Sequence, residues 1–501
     1  MDSVEIFVHQ GDDIALVPPE LYGSFVEHLG RAVYTGIYEP EHPKADENGF
    51  REDVAELVKE LGVSAVRYPG GNFVSGYNWR DGVGPRTQRP VRLDLAWQSS
   101  ESNRFGVGEF ILWCRKLQLT PHLALNLGTG SPKEAAELIE YCNHPYGTAL
   151  SDLRRSHGFA QPFEIHLCCL GNEMDVKSQI GHLPAREYAL KAQQTATMLR
   201  NICPEIRLTA CGSASTTTST YPQWDREVLE ILYDDVAYLS CHQYYENSQG
   251  DAEEYLRSYL RLQDLIDTAS ATINYVKALH RSDKQVYLSL DEWGIWSMTG
   301  EPWQDYFTRH PQQRFAAHPP LLEQSYTLLD ALVTGGLLCT LLLNCDKVKV
   351  ACLAQLVNVI APILTQEGGG VLRQSIFYPF KLFATYGRGI ALRPFVRSAG
   401  TISATALQVA AVQREACAEL CFFVLNTQDA PVHVSLKAEG FGYTELISHS
   451  ALFGPDLQAR NTFDNPQAVA MQKLPLTPQQ RAEGHAQLPP YSLNLLRLKS
   501  S

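Results

Sequence analysis

No apolar run in this chain approaches the roughly 20 residues that cross a bilayer. The longest, Leu337 to Leu343, is closed off by Gly335 and Gly336 before it and Asn344 after it. Basic residues are also in short supply. With 42 Lys and Arg against 55 Asp and Glu, the formal net charge is −13, and a nucleic-acid backbone calls for a basic face. Neither a membrane nor a nucleic acid is therefore an expected partner. Met1 to Glu5 has neither the basic start nor the apolar stretch of a secretory signal, so the expected location is the cytoplasm. Among twelve cysteines there is no Cys-x-x-Cys pair, and Cys417 with Cys421 has no second pair to complete a zinc site. Most of the others (Cys168, Cys169, Cys211, Cys241, Cys339, Cys352) lie in apolar runs and read as buried, reduced thiols. No histidine and carboxylate cluster has a metal-ligand spacing, and neither a metal nor a cofactor is expected. Internal repeats are absent, and the one low-complexity tract, Ser213 to Thr220, reads as a polar loop near the site.

What remains is an ordinary globular composition, 45% hydrophobic and 19% charged over 501 residues, enough for one large α/β domain and a smaller one. From about residue 20 to residue 375, strand-like apolar runs alternate with amphipathic helical segments such as Arg51 to Leu61 and Ala185 to Arg200. Eight strands are predicted: Tyr22 to Val26, Ala65 to Tyr68, His122 to Asn126, Ile165 to Leu170, Leu208 to Cys211, Val236 to Cys241, Val286 to Leu290 and Cys339 to Leu343. Eight such units close a TIM (β/α)8 barrel. After Arg388 the texture changes to short strands with turn residues between them. Leu420 to Leu425 is apolar throughout, while Val432 to Leu436 and Leu493 to Leu498 come closer to alternating, the pattern of a β-sandwich. Val4 to Val8 precedes the barrel and needs partners for its backbone, which the sandwich can supply. The expected division is an N-terminal strand within 1–17, a catalytic barrel over 18–385 and a sandwich over 386–501.

Two of these strands end in glutamate. Ile165 to Leu170 runs into Gly171, Asn172, Glu173, Met174 and Asp175, and Val286 to Leu290 runs into Asp291, Glu292, Trp293 and Gly294. A single strand-end glutamate can be a helix-start charge. Two, one beside an amide and one beside a Trp, point instead to a carboxyl pair. Glycosidic cleavage needs such a pair, one acid protonated to meet the leaving oxygen and one ionised to face the oxocarbenium-like carbon. A gap of about 5 Å retains configuration, and one of roughly 6.5–9.5 Å admits a water and inverts it.

The C-terminal ends of barrel strands converge on one pocket, and here they carry Glu27 and His28; Arg67, Gly70, Gly71 and Asn72; Asn126; Asn172 and Glu173; His242, Gln243, Tyr244 and Tyr245; Glu292 and Trp293; and Asn344. Arg67 suits an ion pair that lowers and orients a nucleophilic carboxylate. Gly70 and Gly71 read as a tight turn, since no phosphate-binding pattern follows them. Asn72 and Asn172 can both donate to and accept from sugar hydroxyls, and Tyr244 can donate to a carboxylate. His242 reads equally as a site group or as a satisfied core histidine. Trp97, Trp293 and Trp296 could all be core, although Trp97, beside Gln98, Ser99 and Ser100, suits a stacking wall for a sugar ring.

With these residues in place, the chain resembles the intracellular α-L-arabinofuranosidases of glycoside hydrolase family 51. The matching segments are Gly23 to Leu29, Val66 to Trp79, Leu95 to Asn103, Gly171 to Asp175, His242 to Tyr245, Asp291 to Trp296 and Cys352 to Pro362. The resemblance implies a TIM barrel with a jelly-roll-like C-terminal sandwich that takes in the N-terminal strand, a retaining exo-acting mechanism, no cofactor, and a hexamer built as a trimer of dimers. It implies Glu173 as acid/base and Glu292 as nucleophile. Glu27, Asn72, Asn172 and Gln355 would hold furanose hydroxyls, Arg67 and Tyr244 would partner the nucleophile, and Trp97 and Trp296 would stand at the pocket mouth. The substrate implied is an arabinose-bearing oligosaccharide or a fragment of arabinoxylan or arabinan. The chain departs from the family at Val176, Lys177 and Ser178, where Gly, Pro and Trp are usual, and at Gly294 and Ser297, where Asn and an aromatic are usual. Three other readings fit the same carboxyl pair or the same fold: a β-xylosidase or endo-β-1,4-glucanase, a silent sugar-binding protein, and a metal-dependent barrel hydrolase.

Overall fold

The structure, a computed structural model, describes residues 3–297, 303–398 and 406–500. Eight parallel strands close into a barrel: Gly23–Phe25, Ala65–Tyr68, Thr120–Ala124, Leu167–Leu170, Arg207–Ala210, Tyr238–Tyr245, Tyr287–Ile295 and Val348–Leu353. Closure is made by the last strand on the first, with Cys352 opposite Gly23 and Leu353 opposite Ser24. Both faces of such strands are covered, by the barrel interior and by helices, so they read as continuous apolar runs rather than alternating ones. The helices form where the sequence places them, at Glu52–Leu61 and Ala185–Ile202 among others. The first stops at Gly62, which takes the left-handed conformation at φ +82° and returns its N–H to the carbonyls of Val58 and Lys59.

The predicted eighth strand is corrected. Cys339 to Leu343 is the last part of a helix, Leu328–Leu343, and the strand that closes the barrel is Val348–Leu353. Thr327 caps this helix by accepting from the Asp330 N–H, and the Asp330 carboxylate accepts in return from the Thr327 N–H and hydroxyl. Nearly every residue along it is buried, because it lies between the barrel helices on one side and a β-sheet on the other. A helix covered on all sides is apolar all round and loses the 3.6-residue stripe that would mark it as a helix. The correction carries Asn344 with it. Its side-chain N–H groups go to the Thr340 carbonyl at 2.9 Å and Gln263 Oε1 at 2.7 Å, at the end of this helix and away from the pocket.

The C-terminal part holds two sheets. One has the order Phe395–Ser398, Ser3–His9, Val432–Glu439, His485–Leu488. The other has the order Asp13–Leu16, Ile390–Leu392, Leu407–Arg414, Glu419–Asn426, Ser492–Ser500, Tyr443–Leu452, Gln472–Leu474. The N-terminal strand lies inside the first, antiparallel to Phe395–Ser398 and parallel to Val432–Glu439. Glu419–Asn426 shows why its sequence does not alternate. Leu420, Phe422 and Val424 enter the core between the sheets, and Cys421, Phe423 and Leu425 enter the core shared with the barrel and the Leu328–Leu343 helix.

Candidate active site

Each catalytic candidate is delivered by the end of a barrel strand. Glu292 lies in the seventh strand beside His242 of the sixth. The pairing slips between Ser240 and His242 on one side and between Leu290 and Trp293 on the other. This bulge places an extra residue in the seventh strand and breaks the in-out alternation. As a result Asp291 and Glu292, though neighbours in sequence, both reach groups inside the barrel. Arg67 donates from Nη1 to Glu292 Oε1 at 2.6 Å, and the Tyr244 hydroxyl donates to Glu292 Oε2 at 2.8 Å. Arg67 also donates from Nη2 to Asn172 Oδ1 at 2.7 Å, and Asn172 Nδ2 donates to Asn72 Oδ1 at 3.2 Å.

Glu173 follows Asn172 on a backbone turned to φ +45°. That is a left-handed conformation seldom held by a non-glycine residue and costing of order 1–3 kcal/mol. Gly171, two residues before it, at φ +102°, takes the still more demanding position. His242 Nδ1 lies 3.0 Å from Glu173 Oε1 and 3.6 Å from Glu292 Oε2. An oxygen of Glu173, a ring nitrogen of His242 and an oxygen of Glu292 all fall within 4.8 Å of one another. Burial raises the Glu173 carboxyl, and the nearby Glu292 charge raises it further, while the bond from His242 works the other way. Burial also opposes the charge on His242, yet Glu292, Asp291 and Glu173 together push its imidazole up to about 10.

Glu27 follows the first strand, next to the strand that carries Arg67. Its Oε1 accepts from the Phe73 N–H at 2.9 Å and the Trp97 indole N–H at 2.8 Å, and its Oε2 accepts from Gln355 Nε2 at 3.1 Å. The Glu27 N–H returns a bond to Gln355 Oε1 at 3.2 Å. Burial pushes the Glu27 carboxyl up to about 8, with the charges of Glu292 and Asp94 adding to it, against the N–H donors of Phe73 and Trp97. A side chain at Gly71 would put its Cβ 2.5 Å from Glu27 Oε2, so the glycine is there for a close approach as well as for a turn. Trp296 packs edge-on to Tyr244, ring centres 5.1 Å apart.

Two family descriptions match: the alpha-L-arabinofuranosidase 1 domain over residues 57–278 and the alpha-L-arabinofuranosidase C-terminal domain over residues 291–492. A protein of Streptomyces lividans named intracellular exo-alpha-(1->5)-L-arabinofuranosidase is 46% identical over 491 residues, covering 97% of this chain and 73% of its own. One of Bacillus subtilis, of the same name with the number 1, is 44% identical over 474 residues, 94% of each chain. The chain belongs to glycoside hydrolase family 51, the α-L-arabinofuranosidases. A solved family 51 α-L-arabinofuranosidase of Bifidobacterium longum superposes with a TM-score of 0.92 at 37% identity, covering 99% of this chain and all of that one.

Against the family 51 pattern, the residues expected from sequence gather as two bonded groups: Arg67, Asn72, Asn172, Glu173, His242, Tyr244 and Glu292, with Trp296 packed on Tyr244, and Glu27, Trp97 and Gln355, where Glu27 feels the charge of Glu292. Trp97 is buried rather than open, with its indole N–H committed to Glu27. Some strand-end residues go elsewhere. Trp293 is core, and His28 is bound on both ring nitrogens at 2.8 Å, by Glu101 and Tyr68. Asn126 turns its amide to Tyr77 and Thr129. The loop after the fifth strand does reach the site, through Thr216 Oγ1 to Gln243 Oε1 and the Ala214 N–H to Asp175 Oδ2, both at 3.1 Å.

Sequence reading passed over Asp291. Its signal was hidden by the bulge, since alternation would send it outward if Glu292 points inward. The departures from the family at Val176, Lys177 and Ser178 fall on the turn after Glu173, which opens onto a cleft of about 480 Å³ also lined by His182, Thr218 and Thr220.

Proposed function

We propose that this chain is a retaining, exo-acting α-L-arabinofuranosidase in which Glu292 is the nucleophile and Glu173 the acid/base. The observation that carries this is the approach of the two carboxyl groups, with an oxygen of each within 4.8 Å and His242 between them. That spacing supports direct attack, because an attacking water needs roughly 6.5–9.5 Å between the groups. Arg67 and Tyr244 hold Glu292 by both oxygens, which orients it for attack. The buried Glu173 favours its proton, as an acid must.

In the first step Glu292 bonds to the anomeric carbon as the bond to the leaving oxygen breaks, and that oxygen takes the proton of Glu173. Glu173 gains a charge as Glu292 loses one, so His242, which lies against both, faces one catalytic anion at each stage. The vanished Glu292 charge then lowers the affinity of Glu173 for a proton, and Glu173 can draw one from the incoming water. Glu27, Asn72, Asn172 and Gln355 hold the furanose hydroxyls, with Trp97 and Trp296 closing the pocket. The names of the relatives support an arabinofuranosyl donor on arabino-oligosaccharides. They also support an intracellular, cytoplasmic place for the chain and a role in L-arabinose metabolism. A homohexamer and a division at 17/18 and 385/386 belong to the same proposal. The pairing of Ser3–His9 with Val432–Glu439 supports the division.

The test is hydrolysis of an aryl α-L-arabinofuranoside, with the β-D-xylopyranoside beside it. Glu292→Ala should be inactive on every substrate, whereas Glu173→Ala should keep much of its first step on leaving groups that need no proton. Equal loss in both variants on an activated aryl glycoside would refute the roles, and release from the xyloside alone would refute the donor.

A further inference from the structure

Beneath the two catalytic glutamates lies a third carboxylate, Asp291, that never reaches the pocket. It is 1% exposed. Its Oδ2 accepts from the Cys169 thiol at 3.0 Å and lies 3.4 Å from Arg67 Nε. Its Oδ1 accepts from the Ser240 hydroxyl at 2.5 Å and lies 3.6 Å from His242 Nε2. Each cation therefore has one end on Asp291 and the other on a catalytic carboxylate: Arg67 on Glu292, and His242 on Glu173 and Glu292. Resting on the assignment of Glu173 and Glu292 above, we propose that Asp291 is a positioning residue of this reaction, which fixes Arg67 and His242 from below and keeps His242 cationic after Glu292 has been esterified.

The need arises within the catalytic cycle. In the free enzyme His242 faces three acids, Glu173, Asp291 and Glu292. Once the sugar is bonded to Glu292 that charge is gone, and Asp291 is the permanent anion left against the ring. If His242 lost its proton at that stage, Glu173 would lose the cation that favours its ionised form just when it must act as a base. Other titratable and charged groups face Asp291 from the neighbouring strands. Arg67 comes from the second, His122 from the third and Cys169 from the fourth. Cys211 follows the fifth strand, His242 and Cys241 lie in the sixth, and Cys352 lies in the eighth. Burial works to protonate Asp291, but Arg67 and His242 hold it well below the usual carboxylate range. Burial pulls His122 down to about 3, so it is neutral there. Asp291 thus stays ionised across the working pH range.

The experiment is the pH dependence of kcat and of kcat/KM on an aryl α-L-arabinofuranoside for the wild type, Asp291→Asn and Ser240→Ala, with Glu292→Ala beside them. With an activated aryl leaving group, chosen so that hydrolysis of the glycosyl-enzyme is the slow step, kcat reports the glycosyl-enzyme and kcat/KM the free enzyme, and the loss in Asp291→Asn should fall on kcat. The acidic limb of kcat should move up by about one pH unit, with about a tenfold loss near pH 6 and kcat/KM within about threefold of wild type. Ser240→Ala removes one hydroxyl and no charge, and should move the same limb in the same direction by less. It carries the test if Asp291→Asn does not fold. An unmoved limb, or a uniform loss in kcat and kcat/KM at every pH, would overturn the role of Asp291 while leaving the glutamates in theirs. Turnover retained by Glu292→Ala would overturn the underlying reading itself.

Discussion

Replacing Arg67 by methionine keeps an unbranched side chain of similar reach and removes the guanidinium that joins Glu292, Asn172 and Asp291. The side chain is 1% exposed and lies over the Phe25 ring at 4.8 Å, so water cannot take its place. Removing one partner of a buried ion pair leaves the other charge uncompensated, at a cost of about 3–5 kcal/mol. That corresponds to a factor of roughly 10²–10⁴ in an equilibrium constant. Glu292 keeps the Tyr244 hydroxyl and Asp291 keeps Ser240, which places Arg67→Met toward the lower end. The loss can be read by reversible denaturation followed by tryptophan fluorescence. The decisive comparison is the cycle with Glu292→Gln. Once the carboxylate is neutral the guanidinium has less to compensate, so the double variant should be more stable than the sum of the singles predicts, by about 1.5 kcal/mol or more. Losses that add to within about 0.5 kcal/mol are what uncoupled residues give. That result would refute the claim that a charged pair holds the nucleophile.

Two further outcomes follow from the packing. In Gly71→Ala the added Cβ meets Glu27 Oε2 at 2.5 Å and must push that carboxylate aside. Since a misplacement near 1 Å can cost about 10²-fold, kcat/KM should fall by one to two orders of magnitude with the thermal transition little changed; an unaltered KM and kcat would count against Glu27 as a substrate contact. Asp225 is fully buried, with Oδ1 bonded to the N–H and hydroxyl of Ser213, and burial pushes its carboxyl up to about 7. Between about pH 4 and pH 7 the folded chain holds this proton and the unfolded chain does not, so the group's contribution to stability is lost as pH rises through that window. Asp225→Asn should match wild type near pH 4, gain on it up to about pH 7 and level off above that, and a stability difference that stays constant across that range would refute the linkage.

Much of the site was legible in the sequence, because strand-end polar residues in a barrel have few other places to go. Glu173 and Glu292 each follow an apolar run that had to be a buried strand, and their convergence came from the topology. What was illegible came from places where burial erases periodicity or where the backbone breaks its alternation. The Leu328–Leu343 helix is apolar on every side and its last five residues, Cys339 to Leu343, read as a strand, which hides the real eighth strand and with it the route by which Gln355 reaches Glu27. Asp291 was passed over because a bulge turns two successive residues inward. Trp293 and Trp296 sit three residues apart in one segment, and only packing separates the one in the core from the one against Tyr244.

The strand Ser3–His9 is synthesised long before its partners: Val4 pairs with Ser398, 394 residues later, and with Val434 beyond it. At about 5–20 residues per second, this strand waits roughly 20–80 s for its partners. Throughout that time Val4, Ile6 and Val8, which the finished protein buries almost completely, have no face to cover them. The barrel can be assembled during synthesis, but the sheet that takes in this strand can close only after the last quarter of the chain has emerged. Until then the strand is an unpaired edge, open to pairing with other chains.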